Sequence, residues 1–79
     1  MNEIKILGIR LRQQSESTLQ LQNILTKHGC VIKTRLGLND TDGNEGIIIL
    51  ELTGSDTEIK SLENELNKIS GLKHAAMNL

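Results

Sequence analysis

The apolar and polar positions of the chain fall into six segments. The most apolar runs Gly46-Ile47-Ile48-Ile49-Leu50-Glu51-Leu52-Thr53-Gly54. Its β-branched residues and its short length between two glycines predict a strand rather than a helix. Apolar residues occur at both parities, which marks a central strand covered on both faces. A chain this short has helix enough for one face only. The second face therefore points to self-association.

Ile4 to Leu11 has the same two-faced character and reads as a second central strand. Gly8 within it predicts a bulge or a close backbone approach. Cys30 to Leu38 alternates instead: Ile32, Thr34, Leu36 and Leu38 share one face, and Val31, Lys33 and Arg35 the other. That alternation suits an edge strand. Leu72 to Asn78 is a weaker strand at the opposite edge.

Two helical stripes separate these strands. Leu21, Ile24, Leu25 and His28 fall on one face, with Leu19 off it. Ser15 or Ser17 is placed to cap this helix, and Gly29 to end it in the left-handed conformation. Lys27 and His28 sit at its negative end. Ser55 and Glu58 have the spacing of a capping box ahead of the stripe Ile59, Leu62, Leu66 and Ile69, and Gly71 closes that segment. Arg12 to Ser15 reads as a polar turn, and Asn39 to Glu45, with Asp42-Gly43, as a hairpin loop.

The order β-α-β-β-α-β, with right-handed crossovers, predicts an α+β ferredoxin-like sandwich: a four-stranded antiparallel sheet with both helices on one face. Strands one and three are the central pair in this topology, in agreement with their apolar character. Parity places Leu7, Ile9, Ile32, Leu36, Ile48, Leu50, Leu52 and Met77 toward the helices. It places Ile4, Ile6, Gly8, Arg10, Lys33, Arg35, Ile47, Ile49, Glu51 and His74 on the open face. An apolar open face with a small charged cluster suits an interface or a ligand shelf.

Composition sharpens this picture. The 79 residues form one domain, residues 1–79, and contain no Phe, Tyr or Trp. Such a domain buries only about 60–65% of its unfolded surface. Small domains usually add disulfides, a metal or oligomerisation. One cysteine excludes an internal disulfide, so a homo-oligomer, dimer or tetramer, is expected. Nine basic and ten acidic residues nearly cancel, without the basic stripe of a nucleic-acid binder. No aromatic residue is present to stack bases. No apolar run approaches the ~20 residues of a membrane span. A lone cysteine without an export signal fits the cytoplasm.

His28, Cys30 and His74 supply too few ligands, without recognisable spacing, for a tetrahedral metal site. Cys30 therefore reads as a structural cysteine, and no cofactor is expected. No acid–base pair or phosphate loop indicates an enzyme. The remaining group is Arg10, Arg35 and Glu51 beside Ile47 and Ile49. Arg offers a planar fork for carboxylates, so these residues are the candidates for a subunit interface or for a small anionic or amphoteric ligand.

The opening Ile6-Leu7-Gly8-Ile9, the strand Thr34-Arg35-Leu36-Gly37-Leu38, the Gly46–Gly54 strand, and the later Leu62-Glu63, Leu66, Ile69, Gly71-Leu72-Lys73 and Met77 together resemble a known family. This is the family of proposed iron-only hydrogenase system regulators, small stand-alone ACT-like domains. They are similar in fold to the ligand-binding domain of the nickel-responsive repressor. The resemblance implies an ACT-like fold, oligomerisation through the sheet and a regulatory role. The repressor's histidine-rich nickel site and DNA-binding segment have no counterpart here. Amino-acid-binding ACT domains often carry Gly or Pro after the first strand, where this chain has Arg12-Gln13-Gln14-Ser15. The expected function is a non-catalytic regulatory or assembly module that binds a small ligand or a protein partner. It makes no direct contact with nucleic acid or membrane. The alternative is a small metal-sensing or metal-carrying protein.

Overall fold

The computed structural model describes residues 3–12, 15–39 and 45–79. Its elements are β1 (Lys5–Arg12), α1 (Ser15–Lys27), a short 3₁₀ turn (Gly29–Val31), β2 (Ile32–Asn39), β3 (Glu45–Leu52), α2 (Asp56–Leu66) and β4 (Leu72–Asn78). The centre of the expected polar turn, residues 13–14, and the Asp42-Gly43 part of the hairpin loop, residues 40–44, lie outside the described residues.

The four strands form one antiparallel sheet in the order β2-β3-β1-β4. The two strands that are apolar at both parities, β1 and β3, are the central pair, as expected. Their register sets Leu7 opposite Leu50 and Ile9 opposite Ile48. Leu7 and Leu50 are fully buried under Leu21 and Leu25 of α1 and Ile59, Leu62 and Leu66 of α2. Burying a side chain of this size contributes about 1.5–3 kcal/mol, so the cluster holds both helices to one face without any aromatic ring. The architecture is the β-α-β-β-α-β sandwich of an ACT-like domain.

Local chemistry fixes the element ends. The Ser55 hydroxyl accepts from the Glu58 amide at 3.2 Å, and the Glu58 carboxylate accepts from the Ser55 amide at 3.3 Å, completing the expected capping box. Gly54, between β3 and α2, has φ 108, and Gly71, ahead of β4, has φ 77. Both conformations are rarely open to residues with a side chain.

Gly29 does not take the expected left-handed conformation. The chain leaves α1 through the 3₁₀ turn instead, with the Val31 amide donating to His28 O at 3.0 Å. This turn delays β2 by two residues relative to the expected start at Cys30, buries Val31 and leaves Cys30 exposed. Cys30 is thus no packed core residue. Ser17 is not a cap either: it lies within α1, buried, and its hydroxyl donates to Ser70 O at 3.3 Å.

Of the bulge or close backbone approach expected at Gly8, the bulge is absent, because β1 keeps continuous register with both neighbours. A bulge occurs instead in β2, between Ile32 and Thr34. Ile32 lies opposite Leu52 and Thr34 opposite Glu51, so Lys33 is an extra residue in the ladder. An inserted residue reverses the parity of everything that follows it. Arg35 is therefore opposite Leu50, on the helix side, and Leu36 opposite Ile49, on the open side. Both assignments invert the expectation from strict alternation. The assignments on β4 also invert. Met77 pairs with Ile6 and faces away from the helices, whereas His74 pairs with Ile9 and faces them. Packing fixes this register: Leu72 is drawn into contact with the core, and residues two and four further on follow it to that face.

Candidate functional site: the open sheet face and the cleft beside α1

The open face is built from three cross-strand rows. The central row reads Leu36, Ile49, Gly8, Ala75 across β2, β3, β1 and β4. One flanking row reads Thr34, Glu51, Ile6, Met77, and the other Leu38, Ile47, Arg10, Lys73. The apolar half of each flanking row thus lies diagonally opposite that of the other. Polar and acidic character gathers at the Thr34–Glu51 corner, and basic character at the Arg10–Lys73 corner.

The central row also has relief. Leu36 and Ile49 project, whereas Gly8 and Ala75 leave a hollow beside them. A Cβ at Gly8 would meet Ile49 Cδ1 at 3.7 Å and the Ala75 carbonyl at 3.9 Å. Ile4, Leu36, Leu38, Met77 and Leu79 are 44% to 70% exposed. Ile4 and Leu79 are joined by a pair of backbone hydrogen bonds of 3.0 and 2.8 Å, which continues the apolar face past the end of β4.

The charged groups named from the sequence do not form one cluster. Arg10 pairs with Glu45, its Nε donating to Oε2 at 2.7 Å. Glu51 accepts from the Thr34 hydroxyl at 3.3 Å and lies 3.7 Å from Lys33 Nζ. Arg35 donates from Nη2 to Gln22 Oε1 on α1 at 2.6 Å. Arg10, Glu51, Ile47 and Ile49 share the open face, but Arg35 is removed from it by the bulge.

Arg35 instead edges a cleft on the helix side of β2. A cavity of about 220 Å³ opens there between β2 and α1, lined by Leu11, Thr18, Leu21, Gln22, Arg35, Gly37, Ile48 and neighbouring backbone. Gly37 lies opposite Ile48 and Gly46 opposite Leu11, so two strand positions facing this corner have no side chain. Gln22 was not legible as a site residue, since it follows Leu21 of the core stripe with no pattern of its own. Gly37 was the available signal, as a strand glycine often marks space for a close approach.

The histidines are engaged separately. His28 at the end of α1 joins Glu65 of α2, and Lys27 Nζ donates to the same carboxylate at 2.8 Å. Hydrogen bonds from Lys27 and then His28 hold the Glu65 carboxyl down from its ordinary 4.5 to about 2. His74 lies 2.7 Å from Asn67 Oδ1. Among the described residues, no three His, Cys, Asp or Glu side chains gather as a metal-binding group. No helix among them is long and apolar enough to cross a membrane.

Comparison with known proteins follows this geometry. The protein of known structure TM1266 from Thermotoga maritima, described as uncharacterized, superposes with a TM-score of 0.90 at 25% identity, over 99% of each chain. The ACT domain of the GTP pyrophosphokinase of Chlorobium tepidum superposes with a TM-score of 0.72 at 18% identity, over 96% of each chain. A formyltetrahydrofolate deformylase from Burkholderia mallei matches 98% of this chain with 28% of its own, at 12% identity and a TM-score of 0.66. The last two likenesses are of fold. No curated protein matches the sequence. A family model described as "TM1266-like: Iron-only hydrogenase system regulator, putative" matches residues 3–76. With this match over nearly the whole chain, and the ACT-like sheet beneath it, the protein belongs to the TM1266-like family.

Proposed function

We propose that the protein is a non-catalytic ACT-like regulatory module that works as a homo-oligomer joined through its open sheet face. The observation that carries this reading is the continuous apolar surface from Leu36 and Leu38 across Ile49 and Ile47 to Met77 and Leu79. Monomeric proteins seldom leave so contiguous an apolar surface open. Its relief suits a second copy of the same chain. In a two-fold, face-to-face pairing, the Leu36–Ile49 ridge of one copy can seat over the Gly8–Ala75 hollow of the other. Self-complementarity of this kind is what an isologous interface requires.

The regulated target in this proposal is the iron-only hydrogenase system named in the family description, reached through a small ligand or a protein partner. A net charge of −1 gives no support to direct DNA binding. The exposed, lone Cys30 suits a reducing cytoplasm, where we place its action.

The test is sedimentation of the wild-type protein against Leu36→Glu/Leu38→Glu. Both leucines are exposed in the single chain, so the double variant should keep its fold by circular dichroism. The wild type is expected to sediment as a dimer or tetramer and the variant as a monomer, because a buried unpaired carboxylate is strongly disfavoured. A monomeric wild type at micromolar concentration would remove the proposal.

A further inference from the structure

The cleft between α1 and β2 combines an apolar floor with an arginine fork held from one side. We propose that it binds a short branched monocarboxylate without an amino group, of the 2-oxo acid class, with Arg35 taking the carboxylate. This gives the ligand of the regulatory module a chemical class, and it rests on that reading only for the ligand's role.

Four features carry the assignment. Arg35 Nη2 is held by Gln22 Oε1 at 2.6 Å. That bond restricts the guanidinium while leaving its other N–H groups without a carboxylate partner among the described residues. A planar, partly ordered fork of this kind recognises a carboxylate through paired hydrogen bonds. Behind it, Leu21 and Ile48 provide an apolar surface, and Gly37 leaves the room. A Cβ at Gly37 would meet no atom within 4 Å.

Size and charge narrow the class. The cavity of about 220 Å³ has room for a short branched acid. Among the described residues, no Asp or Glu lines the cleft. These residues offer an ammonium no counter-charge, whereas a keto oxygen could accept from the Thr18 hydroxyl or the Gln22 amide.

The test uses α-ketoisocaproate, followed by amide NMR of the full chain, with sedimentation run in parallel. Saturable shifts are expected at Thr18, Gln22 and Gly37, with a dissociation constant of about 1 mM or tighter for a ligand this small. Leucine, which replaces the keto oxygen by an ammonium, is expected to bind at least about tenfold more weakly, as is α-ketoisocaproate to Arg35→Gln. Gly37→Val places a side chain in the cleft at a strand position suited to it, and should abolish the shifts while keeping or raising the melting temperature. Absence of saturable shifts, an equal response to leucine, or unchanged binding by either variant would overturn the assignment. Sedimentation separates the two proposals: an oligomer that does not bind refutes the ligand site alone, and a monomer that binds refutes the interface alone.

Discussion

Glu65 of α2 accepts hydrogen bonds from Lys27 and joins His28, both at the C-terminal end of α1. One carboxylate thus ties the two helices together where their chains leave the shared core. It also receives the Lys27 ammonium at the end of α1, where the helix dipole favours a positive charge.

The Glu65 carboxyl titrates near 2 in the folded chain, below its ordinary 4.5. A depressed carboxyl stabilises the fold above the higher value and loses that contribution as pH falls toward the lower one. The melting temperature of the wild type should exceed that of Glu65→Gln by a constant amount from neutral pH down to about 4.5, and the gap should close toward pH about 2. Thermal melts across that range measure it. A gap that widens on acidification would contradict the linkage.

Removing the α2 cap should have a local cost. Ser55→Ala loses the hydroxyl that accepts from the Glu58 amide and donates to the Glu58 carboxylate, while the backbone amide of residue 55 can still donate to that carboxylate. Urea denaturation should show a loss of about 1 kcal/mol with an unchanged slope. Ser55→Asn should recover most of it.

Gly54→Ala should be more damaging than its small size suggests. At φ 108 the new Cβ would also stand 3.1 Å from Val31 Cγ1. Strain of this kind costs about 1–3 kcal/mol. Gly37→Ala, in extended backbone with open space around it, should be neutral or stabilising. Paired denaturation curves give the comparison.

Arg35 and Glu51 should act independently. Arg35 meets Gln22 on the helix side, and Glu51 meets Lys33 and Thr34 on the open side. The two residues share no partner. In a double-mutant cycle with alanine, read by denaturation, the coupling should stay within about 0.5 kcal/mol. A coupling above 1 kcal/mol would require them to meet across a subunit boundary.

The fold was legible because its cues agreed with one another. Two strands apolar at both parities had to be central, the capping box located α2, and Leu72 to Asn78 matched β4 to the residue. The face of most of the candidate residues was legible too: Arg10, Ile47, Ile49 and Glu51 stand on the open face. Their arrangement was not. Alternation in β2 looked regular, and the extra residue at Lys33 leaves no mark in hydrophobicity, since it is a backbone event within the ladder. On β4, Met77 outranks Ala76 in hydrophobicity, so it was drawn to the core face. Yet the open face is apolar as well, which left hydrophobicity unable to choose between the two. His28 read correctly as a helix-end residue, but its bond to Glu65 spans 37 positions and has no local pattern.

The bulge at Lys33 bears on how the chain avoids polymerising. β2 is an edge of the sheet, and a flat edge rich in Ile and Leu is a template for adding strands without limit. An extra residue twists such a strand and interrupts the spacing of its outward-facing amides and carbonyls, so a second strand cannot zip along its length. The ladder itself does not need Lys33: deleting it would bring Ile32 and Thr34 into consecutive pairing with Leu52 and Glu51. The shortened chain would keep every side chain on its present face while presenting a straighter border with Arg35 as its one remaining charge. Its hazard would then lie in fibril growth along β2 rather than in any loss of folded structure.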